Sequence, residues 1–418
     1  MTRTFILGSR ASQLAKVQTL IVRDALQTAF PHATFDVRFM ITAGDKNQKD
    51  ALYLLGGKSL WTEELEVALG KGEIDIIVHS LKDVSTVLPD GFEIGAIMER
   101  EDPDDAFVCK KGLGYTCLGE LPDGSVVGTS SVRRVAQLKR AYPKLIFQDI
   151  RGNCDTRLRK LDDPNGPFTA IILASAGLIR LDQTDRITSS VTPPTLYHAV
   201  GQGALGIECR DDDVEVKDFL KKVISHYPTE MRCRAERACL RVLEGGCSVP
   251  VGVESSFVPA FSSAASSEEG DGKEVVGTLT LTSTVTSLSG ELQVAQMICY
   301  EKVCGFDDAE RLGEEVARAL ISGGARKILE EVNVKRAEKQ KRDKEAKESS
   351  KVEPPLAHVD SFLNQPRKGE VATPVQVDAN STSSTPSWIS YFSTLFLPIS
   401  VEPKETLRQL PGAWPETS

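Results

Sequence analysis

Short apolar runs, each followed by a polar turn and then a helix-period segment, recur through the N-terminal half of the chain. RTFILG leads into SRASQLAKVQTLIVRDAL, EIDIIVHS into LKDVS, and GSVVG into TSSVRRVAQLKRA. KLIFQDI leads into RGNCDTRLRKL, and FTAIILA into SAGLIRL. Strands alternating with helices in this way predict an α/β architecture built on a parallel sheet. Two stretches rich in proline and in acidic or small residues interrupt the alternation: EREDPDDAF (Glu99 to Phe107) and SSVTPPTLYHAVGQG (Ser189 to Gly203). They predict places where the chain leaves a first lobe and returns to it.

After Tyr227-Pro228 the period changes to one helix, TEMRCRAERACLRVLE, then the alternating segments VGTLTLTSTV and LQVAQMICYEKV, then a helix around AERLGEEVARALISGGARKILEEV. This predicts a small α+β domain. The expected organisation is a discontinuous α/β lobe at 1–101 and 200–224, a second α/β lobe at 105–195, and the α+β domain at 228–334. SSAASSEEGDGKE (Ser262 to Glu274) has loop composition and reads as an insertion between strands. From Lys335 a mixed charge run and then a Pro/Ser/Thr-rich stretch predict a disordered tail over 335–418. Its apolar segment WISYFSTLFLPISV, broken by Pro398, is too short to span a bilayer.

Composition bounds the function classes. With 418 residues, 40% hydrophobic and 26% charged, the chain reads as an ordinary globular protein of several domains. A net charge of -9 argues against a nucleic-acid partner, so any anion site must be local. MTRTFILGSRASQLAKVQ lacks the pattern of a secretory leader, and a cytoplasmic protein with no membrane association is expected. The nine cysteines form no CxxC pair and no zinc-type cluster, so neither disulfides nor a metal is expected. Cys109, Cys209 and Cys299 lie in apolar strand-like runs and read as small hydrophobes.

In open α/β sheets ligands gather beyond the carboxyl ends of the strands, where helix N-termini offer unpaired amides. The turns at those places repeatedly carry cations: Arg10, Lys82, Arg133, Arg134, Arg151, Arg157 and Arg180, with the hydroxyls of Thr129, Ser130 and Ser131 beside the arginine pair. One arginine on a helix carries little weight. The recurrence in an acidic protein predicts a cleft for a ligand with several carboxylates or phosphates, which guanidinium forks bind bidentately. Asp83 follows a nearly continuous apolar strand and is placed at the mouth of that cleft. It suits proton transfer or stabilisation of a cation, against the alternative of an ordinary ion pair with Lys82 or an arginine.

VGQGALG matches a dinucleotide fingerprint at Gly201, Gly203 and Gly206, but the strand before it and the helix after it are missing. It reads as a hinge with close-packing glycines, with Gln202 near the ligand. LGGKSLWTEELEVAL joins Lys58 to a helix capped by Thr62 and reads as a plain loop or a lid. Cys247, in EGGCSVPVG, follows a helix end, where the dipole disfavours a thiolate, and no histidine adjoins it in sequence. A covalent attachment point fits it better than a nucleophile that turns over, with a structural loop cysteine as the alternative.

Together GSRASQLA, GGKSLW, IVHSLKDV, EREDPDDAF, VGTSSVRR, IRGNCDTRL, LASAGLIRL, AVGQGALGIEC and LEGGCSVPVG, in that order over about Thr4 to Val332, resemble the porphobilinogen deaminase (hydroxymethylbilane synthase) family. The resemblance implies two periplasmic-binding-protein-like α/β lobes with a double crossover plus a smaller C-terminal domain. It also implies a dipyrromethane cofactor held by a thioether to Cys247, and stepwise addition of four porphobilinogen units with loss of ammonia. Water then releases linear hydroxymethylbilane. In that reading Asp83 is the central catalytic group. Lys82, Ser80, Thr129, Ser130, Ser131, Arg133, Arg134, Arg151 and Arg157 bind the cofactor, and Arg10, Arg180, Gln202 and Lys58 bind substrate. A monomer whose product passes to uroporphyrinogen III synthase is implied as well. Ala43, Trp61 and Ser85 depart from residues common in the family. The competing reading is a non-enzymatic two-lobed binding protein for a polycarboxylate, which would need the arginines but not Cys247.

Overall fold

β1 (Thr4–Arg10), β2 (Thr34–Met40), β3 (Ile76–Ser80) and β4 (Phe92–Ile97) begin one sheet in this computed structural model, which describes residues 3–42, 62–243, 249–260 and 276–349. β1 runs parallel to β2 and β3, and the Gln13–Ala29 helix makes the connection from β1 to β2. Ser12 caps that helix by accepting a hydrogen bond from the Ala15 amide. The chain then crosses to a second sheet, whose strands are β5 (Asp105–Cys109), β6 (Val126–Gly128), β7 (Ile146–Gln148), β8 (Ala170–Ala174) and β9 (Ser189–Val191), ordered β7-β6-β8-β5-β9. It returns as β10 (Leu205–Arg210), inserted between β3 and β4 to give the order β2-β1-β3-β10-β4. Apolar side chains of both sheets meet their helices in separate buried clusters.

The sheets are mixed, where the alternation predicted parallel ones. β10 is antiparallel to both its neighbours, and β5 is antiparallel to β8 and β9. These are the strands that follow each crossing, and a chain arriving from the other lobe enters without the helical crossover that a parallel neighbour requires.

The two crossing segments are bonded to each other. Glu101 N–H donates to Gly203 O at 3.2 Å, and Met98 N–H donates to Leu205 O at 3.1 Å. Gly203 has φ of 88° and Gly201 has φ of 69°, and a Cβ on Gly203 would collide with the Glu101 carbonyl oxygen. The glycines of VGQGALG therefore serve close backbone approach and left-handed turns rather than a pyrophosphate.

The C-terminal domain is an antiparallel sheet, β11 (Val251–Pro259), β12 (Gly277–Thr286) and β13 (Gln293–Val303), with the Tyr227–Val242 and Phe306–Leu320 helices packed together over its core. Cys109 and Cys209 are buried as expected, but Cys299 is exposed. It lies on edge strand β13 opposite Thr280, at a position that alternation turns away from the core. The last helix, Arg326–Ser349, runs beyond Lys335, where composition predicted irregular chain. Lys, Arg, Glu and Ala are strong helix formers, so a mixed charge run can extend a helix already nucleated by burial of Ile328, Leu329 and Val332. The Ser262–Glu274 insertion and 350–418 lie outside the described residues.

Glu236, on the Tyr227–Val242 helix, ties this domain to both crossings. Its carboxylate accepts a fork from Arg100 at 2.6 and 3.0 Å, the Gly201 amide at 2.8 Å and the Ser255 hydroxyl at 2.5 Å. The side chains of Arg100 and Glu236 are 2% and 0% exposed. Burial pulls the Glu236 pKa upward, but the Arg100 charge and its hydrogen bonds outweigh that and hold it at about 2, from 4.5. A carboxyl depressed on folding stabilises fully above its unfolded pKa and loses that contribution as pH falls through its folded pKa. Glu236→Gln is therefore expected to lower the unfolding free energy by about 3–5 kcal/mol at pH 7. The gap to the parent should close between pH 4.5 and about 2. Urea unfolding across that range checks this, and a gap independent of pH would exclude the ion pair as its source.

Candidate functional site

β3 ends in a single tight turn, Leu81–Asp83. Leu81 is buried and its amide donates to Ala204 O on β10's approach at 3.0 Å, while Val84 N–H closes the turn onto Leu81 O at 3.2 Å. With Leu81 fixed inside, Asp83 is left exposed at the end of the turn. Lys82 points the other way, its Nζ 3.4 Å from Gln202 Oε1. Burial lowers the Lys82 pKa, opposed by the charge of Asp83 and reinforced by that of Arg134.

Across the crossings, β6 runs into Thr129, Ser130 and Ser131, which form the entrance to the Val132–Ala141 helix. Ser131 Oγ caps it by accepting from Arg134 N–H at 3.4 Å, and Thr129 Oγ1 accepts from Ser131 N–H at 3.3 Å. Ser130 Oγ donates to Ile150 O at 2.7 Å. Arg133 and Arg134, in the first helical turn, are 4% and 6% exposed. Both converge on Asp105, the buried first residue of β5. Arg134 donates to Asp105 Oδ1 from Nε at 3.1 Å and Nη2 at 2.7 Å, and Arg133 Nη1 lies 2.8 Å from Oδ2 while donating to Tyr197 O at 2.5 Å. Gln202 Nε2 donates to the same Oδ1 at 2.9 Å and to Pro103 O at 2.6 Å. Lys82, Gln202, Asp105 and the arginine pair thus form one hydrogen-bonded chain from lobe to lobe.

The remaining predicted residues take their places around it. Arg151 precedes Gly152, whose φ of 111° turns the chain into the Cys154–Asp162 helix, and Arg157 Nε donates back to Gly152 O at 2.7 Å. Arg180 ends the helix after β8 and donates to Gly203 O at 2.7 Å. Arg10 and Ser80 are the last residues of neighbouring strands β1 and β3, and Ser80 Oγ exchanges hydrogen bonds with Gln18 at 2.9 and 3.1 Å. Thr62 stands at the start of the Glu63–Gly70 helix but makes no side-chain cap; its hydroxyl bonds the Glu66 carboxyl instead. Lys58, Trp61 and Cys247 lie outside the described residues.

The electrostatics of this region are one-sided. Burial, first, and then neighbouring positive charge lower the pKa of Lys82, Arg133 and Arg157, with Arg134 acting on all three. Burial also lowers that of Arg180. Against them, Asp105 is held well below the usual carboxylate range, since Arg133 and Arg134 outweigh its own burial. Among the described residues, Asp105 is the buried carboxylate bonded to the arginine pair, while Asp83, Asp149 and Glu101 act on Lys82, Arg157 and Arg180 by charge. Arg133 Nε is buried and has no hydrogen-bond partner among the described residues. Such a surplus favours a ligand bearing several carboxylates, and a dipyrromethane with its acid side chains fits it.

Sequence reasoning missed Asp105, Arg100 and Glu236. Asp105 was legible only as an acid opening the otherwise apolar strand DAFVC. Arg100 and Glu236 lie far apart in sequence, and no local signal pairs them. Among the described residues, no group of three potential metal ligands is clustered, and no helix is long and apolar enough to cross a membrane.

Comparison with known proteins accounts for nearly all of this framework. Residues 5–218 match the family model of the porphobilinogen deaminase dipyromethane cofactor binding domain, and residues 230–322 that of the porphobilinogen deaminase C-terminal domain. The porphobilinogen deaminase of Yarrowia lipolytica is 47% identical over 335 residues, covering 78% of this chain and 93% of that protein. That of Gloeobacter violaceus is 49% identical over 338 residues, covering 80% and 95%. A nutrient binding protein from Burkholderia cenocepacia bound to methionine is distantly alike in structure, at 14% identity over 52% of this chain and 90% of that one, with a TM-score of 0.34. The chain belongs to the porphobilinogen deaminase family.

Proposed function

We propose that the cation-lined cleft beside the Leu81–Asp83 turn is where this chain condenses four porphobilinogen molecules head to tail, with loss of ammonia, before hydrolysis releases hydroxymethylbilane. The observation that carries the reading is the surplus of buried cations next to one exposed carboxylate. When bound through a thioether to Cys247, dipyrromethane supplies a terminal pyrrole with a free nucleophilic α-carbon.

The chain's own residues then have distinct tasks. Arg133, Arg134, Arg151 and Arg157, with Lys82 and the Thr129–Ser131 turn, hold acetate and propionate groups; Arg10, Arg180 and Gln202 face the incoming porphobilinogen. In the substrate, the aminomethyl C–N bond breaks with its electron pair leaving on nitrogen, which departs as ammonia once protonated. The methylene-pyrrole cation left behind would be the electrophile for a pyrrole α-carbon held in this cleft, and the C–C bond formed there would release the α-proton. Asp83 is the group that moves these protons, and between the two transfers its charge balances the cation.

In this reading the bodies that shift as the product lengthens are 1–101 with 200–224, 105–195 and 228–334. The protein acts as a cytoplasmic monomer, and its linear product goes on to uroporphyrinogen III synthase.

Two measurements test the assignment. The intact mass of the denatured, purified protein is expected to exceed the sequence mass by two linked pyrrole units, and Cys247→Ser is expected to remove the excess. An unmodified mass from active protein overturns the tether. Asp83→Asn is expected to lower ammonia release from porphobilinogen by about a hundredfold or more, the scale of a lost acid–base group. Its thermal unfolding should stay near the parent's, because Asp83 is exposed. Parent-like turnover removes Asp83 from the mechanism.

A further inference from the structure

One face of the Tyr227–Val242 helix fixes the Asp83 turn from the C-terminal domain. Cys233, fully buried, packs in one cluster with Leu81, the first residue of that turn, and with Ile97 and Ala204. Glu236, three residues on, holds the Gly201 amide and Arg100, and Arg100 Nε in turn donates to Gln202 O at 2.7 Å. Arg237, one helical turn after Cys233, reaches the outgoing side of the catalytic turn. Its Nη2 donates to Ser85 O at 2.6 Å and its Nη1 to Val84 O at 3.3 Å.

The incoming side of the turn needs no such help. β3 is hydrogen-bonded between β1 and β10, and the Leu81 amide is bonded to Ala204 O, all within one lobe. Past Asp83 the chain leaves the sheet, and the next strand, β4, begins only at Phe92. The two carbonyls directly after Asp83 are held by a side chain from another domain. A planar guanidinium can fork onto two successive carbonyls, whereas a lysine ammonium holds one well.

We propose that Arg237 is a positioning residue: it fixes the outgoing side of the Asp83 turn to the helix that leads on towards Cys247. This rests on the reading of Asp83 as the catalytic carboxylate. The carboxylate then keeps its station only while that helix stays docked. Among the described residues Arg237 bonds the backbone that carries Asp83, and it acts through that backbone.

The test uses the primed holoenzyme, its covalent mass verified for every variant. Arg237→Gln is expected to lower kcat about 10- to 100-fold, the scale of a misplacement near 1 Å, with KM within about twofold. Arg237→Lys should fall between Arg237→Gln and the parent. In an Asp83→Glu background, where the carboxylate is already displaced, Arg237→Gln should reduce kcat by a much smaller factor than in the parent. Parent-like kcat in both Arg237 variants overturns the proposal, as does an equal loss in the two backgrounds. If Arg237→Gln fails to fold, Arg237→Lys in the two backgrounds decides by the same criterion. The outcomes also separate this proposal from the reading it rests on. An active Asp83→Asn enzyme removes the role of Asp83 itself, while an inactive Asp83→Asn beside a parent-like Arg237→Gln removes only the positioning role.

Discussion

A guanidinium or ammonium group taken out of water carries a desolvation penalty of several kcal/mol, and the centre of this molecule is arranged around that penalty. Asp105 is where it is partly met. Its two carboxylate oxygens take Arg133, Arg134 and the Gln202 amide, and through Gln202 they reach Lys82 in the other lobe. Because Asp105 also begins β5, the first strand after the crossing, the charge balance of the site and the path of the chain between lobes are fixed by one residue. The compensation is incomplete, and incompleteness suits a polyanion site. A cradle with an internal carboxylate for every arginine would have to break its own ion pairs before binding anything. Lys82, Arg133 and Arg157 instead all lie in the repulsive field of Arg134, which an incoming carboxylate relieves.

The same economy of contacts governs the junction of the domains. Arg100 and Gln202 lie on the two crossings, and each is satisfied by groups from a different body: Arg100 by Glu236 of the C-terminal domain, Gln202 by Asp105 and Lys82 of the two lobes. Buried polar links of this kind specify one geometry, since any slippage leaves an unpartnered charge in a dry environment. Apolar packing alone would tolerate sliding. The left-handed glycines Gly201 and Gly203 allow the returning crossing to approach Glu101 closely enough for these bonds to form.

The alternation of apolar runs with helices made the α/β class legible, and the repeated turn arginines singled out one edge of the sheets as a candidate anion site. Local pattern carries that information because a strand end and the helix start after it are adjacent in sequence. Strand direction was less legible. Whether β10 runs with or against β3 depends on where a long crossing delivers the chain, which no window of residues encodes. Asp105 escaped notice because an acid in EREDPDDAF has the composition of a solvated linker until its two arginines, far along the chain, are seen to meet it. Cys299 looked like core because hydropathy does not say which face of an edge strand is covered. The charge run after Lys335 looked irregular because it lacks an apolar stripe, yet helix propensity and the preceding buried turn suffice to carry the helix to Ser349.

Helical spacing explains why a single element can hold three separate partners at once. Cys233, Glu236 and Arg237 are three and four residues apart, so their side chains share a face, and that face meets the Leu81 core contact, the returning crossing and the outgoing side of the Asp83 turn together. The periodicity of TEMRCRAERACLRVLE shows that such a face exists but not what it faces. An arginine and a glutamate beside a buried cysteine read from sequence as an ordinary amphipathic boundary. They find their partners only because the Leu81–Asp83 turn, more than a hundred residues earlier, is brought beneath them, so that moving this helix away would withdraw the Cys233 packing, the Glu236 ion pair and the Arg237 fork in one step.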